Sequence, residues 1–202
     1  MQKEMPEIHV EELKKDPEFL ANIKRLEEEC KETGSIAKGY QLLDAQLIIE
    51  AAEDQINEIF TFIVNNAFDK LAEKLSQQSD FDMHDDEDRA TARAIYEHGI
   101  QRYSENDKKG AKEIFLVLYH TVGDAGLKDA MMVHAAAVMA GYSFDDFIEK
   151  LVDVDDVDPH DPLAFFIRTF SRPTDILLGI FAKEVKAGKE ELKVLEEDGK
   201  KA

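Results

Sequence analysis

Residues Ala92–Leu118 carry the most constraining pattern in this chain, which is two helical runs separated by a polar turn. Apolar residues recur about one helical turn apart in each run, as expected of a helix with one buried face. The turn, Ser104–Gly110, consists of residues that compete with helix or end it. Gly99 and Ala111 fall where two antiparallel helices would cross. The pattern predicts a helical hairpin whose apolar residues are Ile95, Tyr96, Ile100, Tyr103, Ile114, Phe115 and Leu118.

The hairpin pattern recurs further along the chain. Ala111, Phe144 and Leu177 lie 33 residues apart, while Tyr96, Met131 and Phe166 lie 35 apart. These spacings predict two more hairpins. The second pairs a helix at Lys128–Ala140, ended by Gly141, with a helix at Phe144–Val152. The third pairs a helix at Leu163–Phe170 with one that starts near Thr174.

The repeated hairpin resembles a tetratricopeptide repeat, a family with a period of about 34 residues. With Ala92 in the first position, the family's small, aromatic and Ala positions hold Gly99, Tyr103, Ala111 and Phe115. The resemblance implies a short α-solenoid whose first helices line a concave groove for a partner's peptide. The residues expected to line it are Tyr96, Ile100, Tyr103, Met131, Ala135, Val138, Phe166 and Phe170.

The segment before the hairpins is also predicted to be helical. Asp16-Pro17 provides an N-cap and a first-turn proline, and Gly34 ends that helix. Tyr40–Leu75 then forms either one long helix or a hairpin that breaks at Asn65-Asn66. Its apolar residues around Ile56–Phe68 spread over more than one face, so we expect them to pack on the repeats or on a second copy of the chain.

Three regions follow from these elements in an all-α chain. Residues 1–78 form an N-terminal helical segment and a candidate dimerisation region, of which residues 1–15 are expected to dock loosely. Ser76–Asp88 is a polar linker, with Thr91 or Asp88 available to cap the next helix. Residues 89–187 hold the three hairpins, and residues 188–202 form a charged tail that caps them.

Charge limits the classes of partner. The chain has 202 residues and a formal net charge of −19, which repels phosphate backbones and favours basic partners. The N-terminus lacks a signal-peptide core, no apolar run approaches the roughly 20 residues that a membrane span needs, and Cys30 is the only cysteine. We therefore expect a cytoplasmic protein that inserts into no membrane, binds no nucleic acid and contains no intrachain disulfide.

Metal chemistry is the enzymatic alternative. His98, His120 and His134 could act in a helical metal-dependent hydrolase, and His84-Asp85 and His160-Asp161 are dipeptides that such enzymes also contain. Both dipeptides fall in predicted loops, and no H-E-x-x-H pattern is present. We therefore assign no catalytic, cofactor-binding or metal-binding residues.

These features predict a non-enzymatic protein-binding module, similar to a chaperone or adaptor, that holds a segment of a partner protein. The acidic charge, the three repeats and the layout of Val133–Leu151 resemble the class II chaperones of bacterial type III secretion. That resemblance implies a secreted client and a homodimer formed through the N-terminal helices. The remaining alternatives are a structural subunit of a larger assembly and the metal-dependent hydrolase.

Overall fold

The computed structural model describes residues 10–154, residue 158 and residues 161–199. The described residues form ten α-helices and no strand, which confirms the all-α prediction. Two isolated β-bridges, Phe81 with Val122 and Val152 with Phe170, are the extended pairings among them. The helices are α1 (Val10–Leu13), α2 (Pro17–Thr33), α3 (Ile36–Ile48), α4 (Glu53–Gln77), α5 (Asp86–Ser104), α6 (Lys108–Thr121), α7 (Ala125–Met139), α8 (Phe144–Leu151), α9 (Thr174–Ile180) and α10 (Ala182–Gly199).

The chain divides into two compact units, Met1–Asp69 and Lys70–Ala202. The division falls inside α4, whereas the sequence placed a boundary after residue 78. The segment 76–88 is not a free linker, because its two apolar residues, Phe81 and Met83, are buried. The Phe81 N–H donates to the Thr121 carbonyl at 2.7 Å, and the Phe81 carbonyl accepts from the Gly123 N–H at 2.9 Å.

In the first unit, α2 begins and ends where its caps predict. Asp16 accepts hydrogen bonds from the backbone of Glu18 and Phe19, and Gly34 ends the helix with a φ of 66°. Its buried face packs with α3 in a core that includes Cys30. Residues 1–9, expected to dock loosely, lie outside the described residues, and Val10–Leu13 forms a single helical turn. The core residues are Ile23, Leu26, Cys30, Leu42 and Ala45, with Phe19, Ile49, Ile59 and Phe62 against them.

Neither prediction for Tyr40–Leu75 is correct, because the break lies between α3 and α4 at residues 49–52. Glu50 adopts a left-handed φ of 51°, and the Ala51 N–H closes the end of α3 on the Gln46 carbonyl at 3.0 Å. Asn66 stays helical, with its side-chain amide donating to the Phe62 carbonyl at 2.8 Å. After this break, Ile59 and Phe62 of α4 pack against the core that α2 and α3 form.

In the second unit, α5 and α6 form the predicted hairpin. The turn centres on Asn106, whose φ of 63° is one that Asn tolerates better than most residues. A Cβ placed on Gly99 would lie 2.8 Å from Cγ2 of Ile114, so the predicted close approach is present. The cap of α5 differs from the prediction, since Asp85 caps it rather than Asp88 or Thr91.

Helix α7 is the centre of the second unit. It packs against α6, α9 and α10, while α8 packs against α5. Every residue from Ala130 to Val138 is buried. The residues expected to form a charged tail after 187 belong largely to α10, which contacts α6 and α7 through positions such as Gly188 and Leu192, both buried. Residues 200–202 lie outside the described part of the chain.

The third hairpin lacks its first helix. The prediction of a helix at Leu163–Phe170 is wrong, because these residues form turns and a non-helical stretch that ends in the bridge of Phe170 to Val152. The second helix is present as α9. We call Asp161–Phe170 the strap.

Candidate functional site

The eight residues predicted to line a groove lie mainly in the interior of the second unit. Six of them are buried in the structure, and Ile100 and Phe170 are partly buried. The surface that they form on α5 and α7 is therefore not open to solvent. The six buried residues are Tyr96, Tyr103, Met131, Ala135, Val138 and Phe166.

An aromatic cluster surrounds His134 on α7. The imidazole centroid lies 4.9 Å from the Phe115 ring, 4.7 Å from the Phe147 ring and 5.5 Å from the Tyr96 ring. These partners come from α6, α8 and α5, so one histidine contacts three other helices. We call Tyr96, His134 and Phe147 the aromatic face, because these three rings also contact the strap.

A chain of hydrogen bonds crosses the aromatic face. His134 Nδ1 lies 2.8 Å from the Ala130 carbonyl, which can only accept, so this nitrogen carries the proton. His134 Nε2 then accepts from the Tyr96 hydroxyl at 3.1 Å, and the Tyr96 oxygen accepts from the Ile167 N–H at 3.1 Å. Both polar atoms of the buried imidazole therefore have partners.

Burial keeps this chain of groups neutral. Desolvation lowers the pKa of His134 from 6.5 to about 4, partly offset by its hydrogen bond to Ala130. Desolvation also raises the pKa of Tyr96 well above its usual value. A histidine that is neutral near pH 7 and engaged at both nitrogens is suited to holding Tyr96 in place.

The strap covers the aromatic face. The Phe166 ring lies 5.1 Å from the Tyr96 ring, while the Phe170 ring lies 6.1 Å from His134 and 6.4 Å from Phe147. The strap thus places two aromatic rings, four residues apart, on three helices of the second unit. Sequence reasoning identified both phenylalanines but placed them on a helix.

Tyr103 ties α5 to the start of α8. Its hydroxyl donates to the Tyr142 carbonyl at 3.1 Å, and its ring lies 5.6 Å from Phe144. Burial raises the pKa of the Tyr103 hydroxyl, with smaller contributions from Asp146 and Tyr142. Tyr103 therefore acts in helix packing here.

The histidines proposed as metal ligands have other partners. His98 accepts a hydrogen bond from Arg102 Nε at 3.0 Å, and burial followed by the Arg102 charge lowers the pKa of His98. His134 is engaged as described above. Within the described residues, no group of three or more His, Cys, Asp or Glu side chains is placed to hold a metal ion. His160 lies outside the described part of the chain.

The first residues of the strap line one side of an open acidic cleft of about 550 Å³. Four aspartates line it, together with His84 and apolar atoms from Phe81, Met83, Pro162 and Leu163, and no described Lys or Arg is part of its lining. Sequence patterns carried no signal for this site, because its walls come from three separate stretches. The aspartates are Asp80, Asp82, Asp124 and Asp161.

Hydrogen bonds or ion pairs engage each of these carboxylates, with Asp80 4.0 Å from the Lys128 ammonium group. Asp124 Oδ1 accepts from the Leu127 N–H at 2.7 Å and caps α7. Asp82 Oδ1 accepts from the His84 N–H at 2.9 Å, and Asp161 forms an ion pair with Arg168 of the strap. A carboxylate has further lone pairs after one such bond, so the cleft retains acceptors for a cationic group.

No described helix is both long and apolar enough to cross a bilayer. Comparisons with protein-family models, with curated proteins and with solved structures found no match to this chain.

Proposed function

We propose that this chain is a non-catalytic protein-binding module that takes a basic segment of a partner protein into the acidic cleft. The observation that carries the proposal is the lining of the cleft, where four aspartates and apolar atoms share one open concavity. Lys and Arg side chains join a cationic head to an aliphatic stem. The head can bind the aspartates, and the stem can contact the apolar atoms of the cleft.

The fixed carboxylates favour the binding of a cationic group. Asp82 and Asp124 are already oriented by backbone hydrogen bonds, so they lose little freedom when a guanidinium or ammonium group binds. Charge-assisted hydrogen bonds of this kind are about twice as strong as neutral ones.

The charge of the whole chain supports the same class of partner. A net charge of −19 attracts basic segments over long range and raises their association rate. Long-range attraction alone does not direct a ligand to one site. A test must therefore distinguish binding in the cleft from attraction by the net charge of the whole chain.

Two matched pairs of substitutions distinguish binding in the cleft from general charge attraction. Asp80→Asn with Asp82→Asn removes two charges from the cleft, and the side-chain amide oxygen introduced at position 82 can still accept from the His84 N–H. The matched control, Asp145→Asn with Glu149→Gln on exposed positions of α8, removes the same charge elsewhere. Binding of labelled 12-residue peptides that contain two Arg residues among apolar ones is measured by fluorescence anisotropy.

The cleft variant should weaken binding about tenfold or more, equivalent to roughly 1.4 kcal/mol, and the control should weaken it less than about twofold. Binding by the native protein should also weaken between about 0.05 and 0.5 M salt. Equal losses in the two variants would contradict the proposal, because they would show charge attraction without a specific site.

A second candidate role is assembly through α4 in the first unit. Residues 59–68 carry no charged side chain, although charged residues make up 34% of the chain. Phe60 is 41% exposed within this stretch. Protein interfaces are depleted of charge at their centres, so the exposed residues of this charge-free stretch favour self-association.

A further inference from the structure

The strap occupies the aromatic face in the way that a bound peptide would. It contributes two rings, Phe166 and Phe170, and one backbone N–H, that of Ile167, to the helices beneath it. Peptide-binding surfaces use the same combination of pockets for spaced side chains and hydrogen bonds to the extended main chain.

The polar groups of the aromatic face have hydrogen-bond partners within α5 and α7, without any contribution from the strap. The Tyr96 hydroxyl donates to His134 Nε2, and His134 Nδ1–H donates to the Ala130 carbonyl, all within α5 and α7. Ile167 only adds a donor to the Tyr96 oxygen. Displacing the strap therefore leaves both imidazole nitrogens of His134 hydrogen-bonded. The Tyr96 hydroxyl also keeps its orientation and can accept a hydrogen bond from another N–H.

The backbone of the strap is hydrogen-bonded to the rest of the unit mainly at its C-terminal end. At the C-terminal end the Asp153 N–H donates to the Thr169 carbonyl at 3.1 Å, and the Ser171 N–H donates to the Leu151 carbonyl at 2.9 Å. At the N-terminal end Asp161 forms an ion pair with Arg168, which is also part of the strap, so this contact does not attach the strap to the helices. Between these ends the backbone of the strap is non-helical, and Phe165 is 56% exposed with Arg93 stacked 3.5 Å from its ring centroid. Such segments open at lower free energy than packed helices do.

We infer that the aromatic face is a second binding surface, for a partner-protein segment with two aromatic residues four positions apart, and that the strap is its intramolecular occupant. The inference does not rest on the acidic cleft, which is open while the strap is in place, although Asp161, Pro162 and Leu163 of the strap form one wall of that cleft. Binding at the aromatic face requires the strap to be displaced, so the strap sets the affinity of the site.

A peptide copy of the strap tests this competition on the full chain. The probe is a fluorescein-labelled peptide of residues 161–172, DPLAFFIRTFSR, with a control in which both anchoring phenylalanines, at 166 and 170, are replaced by Ser. The protein variant Phe166→Ser with Phe170→Ser weakens the strap but leaves Tyr96, His134 and Phe147 intact. Circular dichroism checks that its helices are retained.

The strap variant should bind the native-sequence peptide at least about tenfold more tightly than the unaltered protein does, because it lacks the tethered competitor. The Ser-substituted peptide keeps both Arg residues and can still bind the acidic cleft, so it should bind the two proteins with equal affinity. Equal affinity of the native-sequence peptide for both proteins, or no binding of it to a folded variant, would overturn the inference while leaving the cleft proposal untouched. Dimerisation of the unaltered protein that the peptide abolishes would overturn it too, by assigning the face to the strap of a second copy.

Hydrogen exchange provides a test that requires no substitution. The Ile167 amide should exchange at least about 100-fold faster than the amide of Val133 in α7, because the strap opens without global unfolding. Equal exchange rates for the two amides would show that the strap opens only when α7 unfolds, and would overturn the inference.

Discussion

Helices α4 and α7 are both rich in apolar residues, yet they have opposite environments. In α7 all nine positions from Ala130 to Val138 are buried, and helices α6, α9 and α10 surround it. In α4 the buried positions, such as Ile63 and Ala67, lie on one side, while Phe60 is exposed.

Side-chain size accounts for much of this difference. Helix α7 has three successive alanines, Ala135–Ala137, which let neighbouring helices approach on several sides. Helix α4 carries four phenylalanine or isoleucine residues within 59–63, and their bulk cannot all face one core. Apolar content alone therefore does not tell an enclosed helix from one that keeps a face for another molecule.

The largest expected effect comes from placing a charge on each helix. Ala136→Asp should cost more than about 4 kcal/mol of folding free energy, because that fully buried position offers a carboxylate no compensating solvation. The same change at exposed Ala72 of α4 should cost less than about 1 kcal/mol. Urea unfolding followed by circular dichroism compares them. Similar losses would show that α4 is as enclosed as α7.

The second prediction uses the buried histidine of α7. Its folded pKa of about 4 lies below the 6.5 of an unfolded histidine, so the unfolded chain binds more protons between these values. The stabilisation that neutral His134 allows is complete above pH 6.5 and is lost as the pH falls towards 4. The difference corresponds to about 3 kcal/mol.

His134→Gln isolates this contribution from the many carboxylates that also titrate. Urea unfolding at pH 7.5, 6.0, 5.0 and 4.0 should show a steeper loss of stability in the unaltered protein than in the variant. Parallel pH profiles would mean that the buried imidazole does not control acid stability.

Local sequence signals predicted those parts of the fold whose causes are local. Asp16-Pro17 and Gly34 bounded α2 correctly, because capping involves atoms only a few residues away. Gly99 marked the close contact of α5 with α6, since a glycine inside a helix is destabilising unless a neighbouring helix needs the space of its side chain. The hairpin of α5 and α6 was predicted from such local features, namely its apolar spacing, its polar turn and Gly99.

The parts that were missed depend on distant contacts. The break after α3 places Glu50 in a left-handed conformation without the usual glycine. The strap has helix-like apolar spacing, yet Pro173 disfavours helix at Arg172 and the Ile167 N–H finds its acceptor on Tyr96, far back in the chain. The acidic cleft joins aspartates from three stretches that no single window of sequence brings together.

A substitution at Gly39 of α3 tests how tightly the buried face of α4 packs against α3. A Cβ on Gly39 would lie 2.8 Å from Cγ1 of Ile63, whose branched side chain is stiff, so Gly39→Ala should cost about 1–2 kcal/mol despite a better helix propensity. Gly179→Ala in α9, where nothing lies within 4 Å, should instead stabilise by up to about 1 kcal/mol. Urea unfolding measures both changes. Stabilisation by both substitutions would show that α4 packs loosely against α3.

The smallest effect on stability should accompany a change in assembly. Phe60→Glu replaces an exposed ring in the charge-free stretch of α4, so the free energy of unfolding should change by less than about 1 kcal/mol. If that stretch mediates self-association, light scattering should show a mass that rises with concentration in the unaltered protein and stays monomeric in the variant. Gln77→Glu adds the same charge at the exposed end of α4 and should leave association unchanged. A monomeric unaltered protein at high concentration would remove self-association as the reason for the exposed ring, and α4 would then differ from α7 only in how completely one chain can enclose a helix.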